Sequence, residues 1–150
     1  MEARSTQTVV LRPARDSDRA DVERLLAAAK LPLAGVGENF AHYVVAVTSG
    51  GVVGAIGVES HTPYGLLRSA VVDDAQRGRG IGALLTAKAI ERSRAAKLRA
   101  IYLLTTDAAD YFRRHGFHEV AREALPRELG ASEELKGACP DTAVAMVLEL

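Results

Sequence analysis

Seven consecutive residues, Gln76-Arg77-Gly78-Arg79-Gly80-Ile81-Gly82, concentrate the most chemistry in this sequence. An apolar run, Leu66 to Val72, precedes them, and a run with helical spacing, Ala83 to about Ala96, follows. Three glycines at alternate positions remove three Cβ atoms where a strand turns into a helix. A ligand can then touch the backbone, and several N–H groups point outward without an intrahelical acceptor. Backed by the positive end of the helix dipole, those groups form a seat for phosphate or pyrophosphate. Arg77 and Arg79 add mobile positive charge. A plain strand-to-helix turn also uses glycine, so the surrounding residues decide between the two.

Gly78-x-Gly80-x-x-Ala83 fits a dinucleotide fingerprint with alanine in the last place. The spacing argues against that reading. A dinucleotide fold turns tightly from its strand into the first glycine, whereas Asp73 to Arg77 intervene here. It also repeats the unit in a βαβαβ half, and the chain ahead of this loop reads as antiparallel strands.

Glu59 and Arg68 stand out beside the loop. Glu59 ends an apolar strand, where partial burial is expected to raise its pKa towards a value useful for proton transfer. Arg68 interrupts an apolar strand, and an unpaired buried guanidinium is expensive. If the intervening turn centres on Thr62-Pro63, the two residues are diagonal neighbours on one face; a one-residue slip separates them. Arg68 therefore either pairs with Glu59 or clamps a substrate carboxylate in bidentate fashion, the second being favoured.

Composition sets the frame for these residues. With 150 residues, 48% apolar and 25% charged, the chain reads as one globular domain over residues 1–150, large enough to bury a core. Zero formal net charge argues against a general nucleic-acid or anionic-membrane binder. The single cysteine, Cys139, rules out an intrachain disulfide. The start of the chain lacks a signal-peptide core, and no apolar run approaches the ~20 residues of a spanning helix. A cytoplasmic protein is the expectation.

Positioning elements follow from periodicity. Strands are expected at Val9 to Arg12, His42 to Thr48, Val52 to Glu59, Leu66 to Val72, Ile101 to Leu104, Phe117 to Ala121 and Thr142 to Leu150. Asp16 or Ser17 is expected to cap a first helix with Val22, Leu25, Leu26 and Ala29 on one face. Leu33 to Phe40 reads as an irregular loop with one helical turn. Ile81, Leu84, Leu85 and Ala89 recur at helical steps, and Asp107 to His115 is a short helix. Gly54 and Gly57 suggest a bulge or a close approach. Leu125 to Pro140 is a long segment with one or two helical turns. The order β-α-(α)-β-β-β-α-β-α-β-β implies an α/β fold on a mixed, mostly antiparallel sheet flanked by helices.

This order, with Arg77-x-x-Gly80-x-Gly82 after the fourth strand, resembles the GCN5-related N-acetyltransferase (GNAT) family over nearly the whole chain. Ala108 to Phe117 is similar to that family's Asn-x-x-Ala-x-x-x-Tyr-x-x-x-Gly-Phe segment; Thr105 replaces the asparagine and Phe112 the tyrosine. Within the family, the chain is similar to amino-acid acetyltransferases of the N-acetylglutamate synthase type. It is more similar still to a group encoded with arsenic-resistance genes, through Gly57-Val58-Glu59, Leu66 to Ser69, Leu103 to Thr106 and Cys139-Pro140.

The resemblance implies acetyl transfer from acetyl-CoA to the amine of a small amino acid or an analogue such as arsinothricin, phosphinothricin or glutamate. No metal is implied. It assigns the CoA site to Ala70, Val71, Val72, Arg77, Gly78, Arg79, Gly80, Ile81, Gly82 and Phe112. Backbone N–H groups near Ala70 to Val72 would polarise the thioester. Arg68, Ser69, Thr105 and Thr106 would meet the substrate, with Arg127 or Lys136 available for a distal acid. Glu59, directly or through water, would take the ammonium proton. Phe112 cannot donate a proton, and Tyr111, about 100° away on the helix, reads as a core or interface tyrosine. A homodimer through the late strands is implied. An inactive acyl-CoA-binding module is the alternative reading, and a dinucleotide-binding protein a weaker one.

Overall fold

The computed structural model describes residues 8–132, 135 and 142–150. Seven strands form one sheet: β1 (Val10–Pro13), β2 (Tyr43–Thr48), β3 (Gly51–His61), β4 (Tyr64–Val72), β5 (Ala100–Thr105), β6 (His118–Val120) and β7 (Val144–Glu149). Their spatial order is β1-β2-β3-β4-β5-β7-β6. Only the β4–β5 pair is parallel; the other neighbours run antiparallel. Among the described residues four α-helices accompany the sheet: α1 (Arg19–Ala28), α2 (Val36–Asn39), α3 (Ile81–Ala95) and α4 (Ala109–Arg114). This is the expected mixed α/β architecture. No helix among the described residues is long and apolar enough to cross a membrane.

Each face of the sheet has its own core. Ile81, Leu85, Ala89 and Ile90 of α3 and Phe112 of α4 pack with Val44, Ile56, Leu67, Ile101, Leu103 and Met146. On the opposite face, Val22, Leu25 and Leu26 of α1 pack with Val36, Phe40, Tyr43, Val45, Ala55 and Val71. At about 1.5–3 kcal/mol for each fully buried aliphatic or aromatic side chain, these two layers supply most of the driving force.

Several local expectations are corrected. Neither Asp16 nor Ser17 caps α1: a 3-10 turn at Asp16–Asp18 precedes it, and the buried Asp18 carboxylate takes two bonds from Arg12 and one from the Arg15 N–H. Those bonds hold Asp18 below the usual carboxylate range. Ala29 lies beyond the helix and is exposed. Leu84 is 50% exposed, because the first turn of α3 packs only through Ile81 and Leu85. In the same helix, Thr86 and Ser93 take buried positions by donating to the carbonyls of Gly82 and Ala89. Among the described residues of Leu125 to Pro140 a 3-10 turn forms at Arg127–Ala131, and another, Arg122–Ala124, precedes the segment. Lys136, Cys139 and Pro140 lie outside the described residues.

Candidate active site

β4 is built to leave its neighbour. Its ladder with β5 runs from Tyr64↔Ala100 to Leu67↔Leu103 and stops there, although β4 continues to Val72 and β5 to Thr105. Along Arg68 to Val72 the β4 edge facing β5 has no strand partner among the described residues. Alternate backbone N–H and C=O groups are therefore open in a cleft between two parallel strands.

A β-bulge accompanies the departure. On the β3 side Gly57 faces Arg68 and Ala55 faces Val71, so Ser69 and Ala70 together stand opposite Ile56. Ser69 carries the extra turn of the backbone at φ 61°. A non-glycine residue in that region costs about 1–3 kcal/mol and must be held there by its surroundings. The bulge also resets the alternation of side chains, so Arg68 and Val71, three apart, share the α1 face.

Beyond Val72 the chain makes a 3-10 turn at Asp74–Gln76, capped by the Asp73 carboxylate on the Ala75 N–H. It then enters the glycine loop. Gly78 (φ 86°) and Gly80 (φ 77°) are left-handed, and a Cβ built on either meets nothing within 4 Å. Gly80 is the N-cap of α3. The N–H groups of Gly78, Gly80, Ile81 and Gly82 have no hydrogen-bond partner among the described residues. Arg77 pairs with Asp74 (2.9 Å) at the exposed rim, and Arg79 bonds Gln76. Open donors, open space and a fifteen-residue helix behind them fit the pyrophosphate of CoA. The strand edge leading into them fits the amides of its pantetheine arm.

Glu59 and Arg68 meet as the diagonal geometry required, with the hairpin turning at Thr62-Pro63. Arg68 Nη1 donates to Glu59 Oε2 (2.7 Å), Nη2 to the Pro32 carbonyl (3.3 Å) and Nε to Ser69 Oγ (3.2 Å). His61 Nε2 donates to Glu59 Oε1 (2.8 Å), and Ser132 adds a further hydrogen bond. This corrects three expectations. The Arg68 guanidinium is wholly buried against the protein's own acceptors, so it is not poised to clamp a substrate carboxylate. Ser69 Oγ is buried too, bonded to Arg68 and to Tyr43 OH (2.7 Å), and does not line an open subsite. Glu59 is only 1% exposed, yet its pKa is lowered rather than raised. Burial pushes it up, but the bonds from His61, Arg68 and Ser132 and the charge of Arg68 together outweigh burial.

Phe112, expected at the cofactor, is instead buried in the core edge-to-face with Phe117 (centroids 5.6 Å), while Tyr111 packs at the edge of that core. α4 has only six residues, and the rotation that sinks Phe112 turns Tyr111 towards α3. Tyr111 OH lies 3.1 Å from Thr86 Oγ1 and 3.3 Å from where a Gly82 Cβ would sit. The Thr86 hydroxyl already donates its one hydrogen to the Gly82 carbonyl, so Tyr111 is the donor of that pair. A phenol committed in this way is not held ready for a leaving thiolate. Tyr111→Phe is expected to leave turnover within a few-fold in a steady-state thiol-release assay. A loss near the ~100-fold of general-acid removal would overturn that reading.

Thr105 closes β5 beside the splay, and its Oγ1 accepts from the Ala108 N–H (3.0 Å), leaving the hydroxyl hydrogen available. Thr106 is exposed next to it. No group of three or more His, Cys, Asp or Glu side chains among the described residues could hold a metal ion.

Comparison with known proteins agrees with this geometry. No curated protein sequence matches the chain. Among solved structures, Rv2747 from Mycobacterium tuberculosis, in complex with CoA and NLQ, is 26% identical with a TM-score of 0.80, covering 94% of this chain and 99% of that one. N-acetylglutamate synthase from Neisseria gonorrhoeae, complexed with coenzyme A and N-acetyl-glutamate, is 17% identical with a TM-score of 0.81. It is matched over 97% of this chain but only 36% of its own, so this chain spans about a third of that enzyme. A GNAT-family acetyltransferase from Staphylococcus aureus Mu50 is 21% identical with a TM-score of 0.78, covering 95% of this chain and 99% of that one. The model of the acetyltransferase (GNAT) domain matches residues 39–119, more than half of the sequence and the whole stretch from β2 through the splay and glycine loop to α4, and the chain belongs to the GNAT acetyltransferases.

Proposed function

We propose that this acetyl-CoA-dependent N-acetyltransferase acylates the α-amine of a small amino acid or amino-acid analogue carrying a second acidic group. The observation that carries the reading is the neighbouring N-acetylglutamate synthase, whose structure holds coenzyme A and N-acetyl-glutamate; Rv2747, matched over nearly all of both chains, holds CoA and NLQ. The site's own architecture supports a small substrate. Pro32 of the α1–α2 connection bonds Arg68, and the Arg127–Ala131 turn packs against β4, with Leu129 fully buried. In this reading both segments cover the substrate, and the splay is its way in.

In this reading the glycine loop and the first turn of α3 hold the pyrophosphate, through Arg77, Gly78, Arg79, Gly80, Ile81 and Gly82. The open β4 edge at Ala70 to Val72 receives the pantetheine arm and polarises the thioester carbonyl. The neutral amine attacks that carbon, the C–N bond forms, the attacking nitrogen gives up its second proton to solvent, and the C–S bond breaks to release CoA thiolate. Glu59 lies behind Arg68 and His61, so the ammonium proton leaves through solvent and the thiolate departs without a protein acid. The Thr105 hydroxyl and Thr106 take the place of Arg68 as donors to the α-carboxylate. Arg127, exposed on the turn packed against β4, meets the distal acid. Acetylation cancels the ammonium charge of such a molecule, which suits resistance to an arsenic-bearing or phosphinate antimetabolite. A homodimer belongs to the same proposal; light scattering at micromolar concentration checks it, and a monomer contradicts it.

The test is a thiol-release screen with acetyl-CoA over glutamate, glutamine, phosphinothricin, arsinothricin and the common amino acids. An acidic amino acid is expected to be the best substrate, and Arg127→Ala to raise its KM without changing that for neutral amino acids. Preference for simple amines lacking a carboxylate would overturn the reading.

A further inference from the structure

The cleft needs β4 bent at one residue, and that residue is a serine rather than the glycine its backbone favours. Ser69 sits at φ 61° inside a strand; among the described residues the other two non-glycine residues with positive φ, Lys30 and Lys97, follow helix ends. Two side chains, Tyr43 and Arg68, bond it directly, and Glu59 stands behind the second. Ser69 Oγ shares a hydrogen bond of 2.7 Å with Tyr43 OH and accepts from Arg68 Nε at 3.2 Å. Arg68 is fixed by Glu59 at 2.7 Å. Tyr43 is fixed by packing: its ring lies so close over Gly57 that a Cβ there would come within 2.3 Å of Tyr43 Cε1, and it stacks against Phe40 at 5.2 Å. Gly57 is also the register partner of Arg68, so the ring, the guanidinium and the bulge occupy one small, wholly buried volume.

We infer that Tyr43, Ser69, Arg68 and Glu59 form a lock that holds the bulge and so sets the direction of the β4 N–H groups at the thioester. The side chains never touch the acetyl group; they are positioning residues acting through the backbone. This rests on the proposed placement of the thioester at Ala70 to Val72. The alternation of side chains changes between Arg68 and Val71, one step past the last β4–β5 pair. If Ser69 relaxes to an ordinary strand conformation, the N–H groups that follow turn to the other edge, while the glycine loop, anchored by Asp73 N–H on the Val53 carbonyl (2.8 Å), is unaffected. Loss of the lock should therefore appear in kcat and not in CoA affinity.

The decisive experiment is a double-mutant cycle of Tyr43→Phe and Ser69→Gly, with kcat, KM for acetyl-CoA and the dissociation constant of CoA measured for each. Tyr43→Phe keeps the ring over Gly57 and removes only the hydroxyl. It is expected to lower kcat roughly 10- to 100-fold, the scale of a small misplacement of catalytic groups, with CoA affinity within two-fold of wild type. Ser69→Gly reaches positive φ without side-chain help and is expected to retain most of the activity. In that background Tyr43→Phe should add little. An equal loss from Tyr43→Phe in both backgrounds would assign Tyr43 to general packing and overturn the lock, as would wild-type kcat in Tyr43→Phe. Should Ser69→Gly prove unstable, Ser69→Asn, which tolerates the left-handed region, replaces it in the cycle. Failure of wild type to bind CoA at all would instead refute the placement of the thioester.

Discussion

Arg68→Ala is expected to cost about 3–5 kcal/mol of folding stability, seen as a fall in melting temperature of roughly 10 °C or more. The mutation does not simply delete one hydrogen bond. It strands Glu59, 1% exposed, opposite the fully buried Leu66. A buried charge pair contributes little net when intact, because desolvation offsets the attraction, but a single surviving partner bears the whole penalty. Replacing both, as Glu59→Leu with Arg68→Met, should recover much of the loss. Urea unfolding of the two singles and the double distinguishes these outcomes. A single variant within about 1 kcal/mol of wild type would show that the pair is solvated in solution.

The same residue sets the response to acid. In wild type Glu59 and Asp18 both titrate below their unfolded values, so each contributes stability above about pH 4 that is lost as pH falls through the folded pKa. In Arg68→Ala the folded pKa of Glu59 should move up from its wild-type position, because burial, the largest influence on that carboxyl, is then opposed only by His61 and Ser132. The stability that ionised Glu59 contributes at neutral pH shrinks accordingly. The gap between wild type and variant should therefore be widest at neutral pH and narrow towards pH 4. A gap independent of pH would show that Glu59 is not the group affected.

What the residue pattern made legible was the part set by local rules. Apolar periodicity and turn residues placed the seven strands in order, and the glycine spacing marked the strand-to-helix turn whose N–H groups have no partner among the described residues. Centring the hairpin on Thr62-Pro63 was enough to bring Glu59 and Arg68 onto one face. What it hid depended on partners far apart in the chain. The β4 bulge turns on a serine at positive φ, a residue type that does not announce that conformation. The direction of the Glu59 shift required knowing that His61 and Arg68, and Ser132 from the late segment, would all bond its carboxylate. Tyr111 and Phe112 are neighbours in sequence, and only the seating of the six-residue α4 decided which faces the core. Leu84 matched the helical period but fell on a turn that the sheet does not reach.

Gly80→Val is expected to abolish acetyl-CoA binding. Gly80 is the N-cap of α3 at φ 77°, a conformation strained for any L residue and worst for a β-branched one. Yet nothing lies within 4 Å of a Cβ built there, so the protein itself offers no clash. The two effects can be separated. Gly80→Asn tolerates the left-handed backbone, so its apo form should melt close to wild type, but its side chain still fills the pyrophosphate seat. Wild type at a CoA concentration a hundredfold above its dissociation constant should gain about 2.7 kcal/mol of stability, read as a rise in melting temperature. Both variants should gain none. If backbone strain alone were responsible, Gly80→Asn would bind CoA normally while Gly80→Val would not. If both folded variants are stabilised by CoA as wild type is, the pyrophosphate does not lie on this turn, and the assignment of the glycine loop as its seat is wrong.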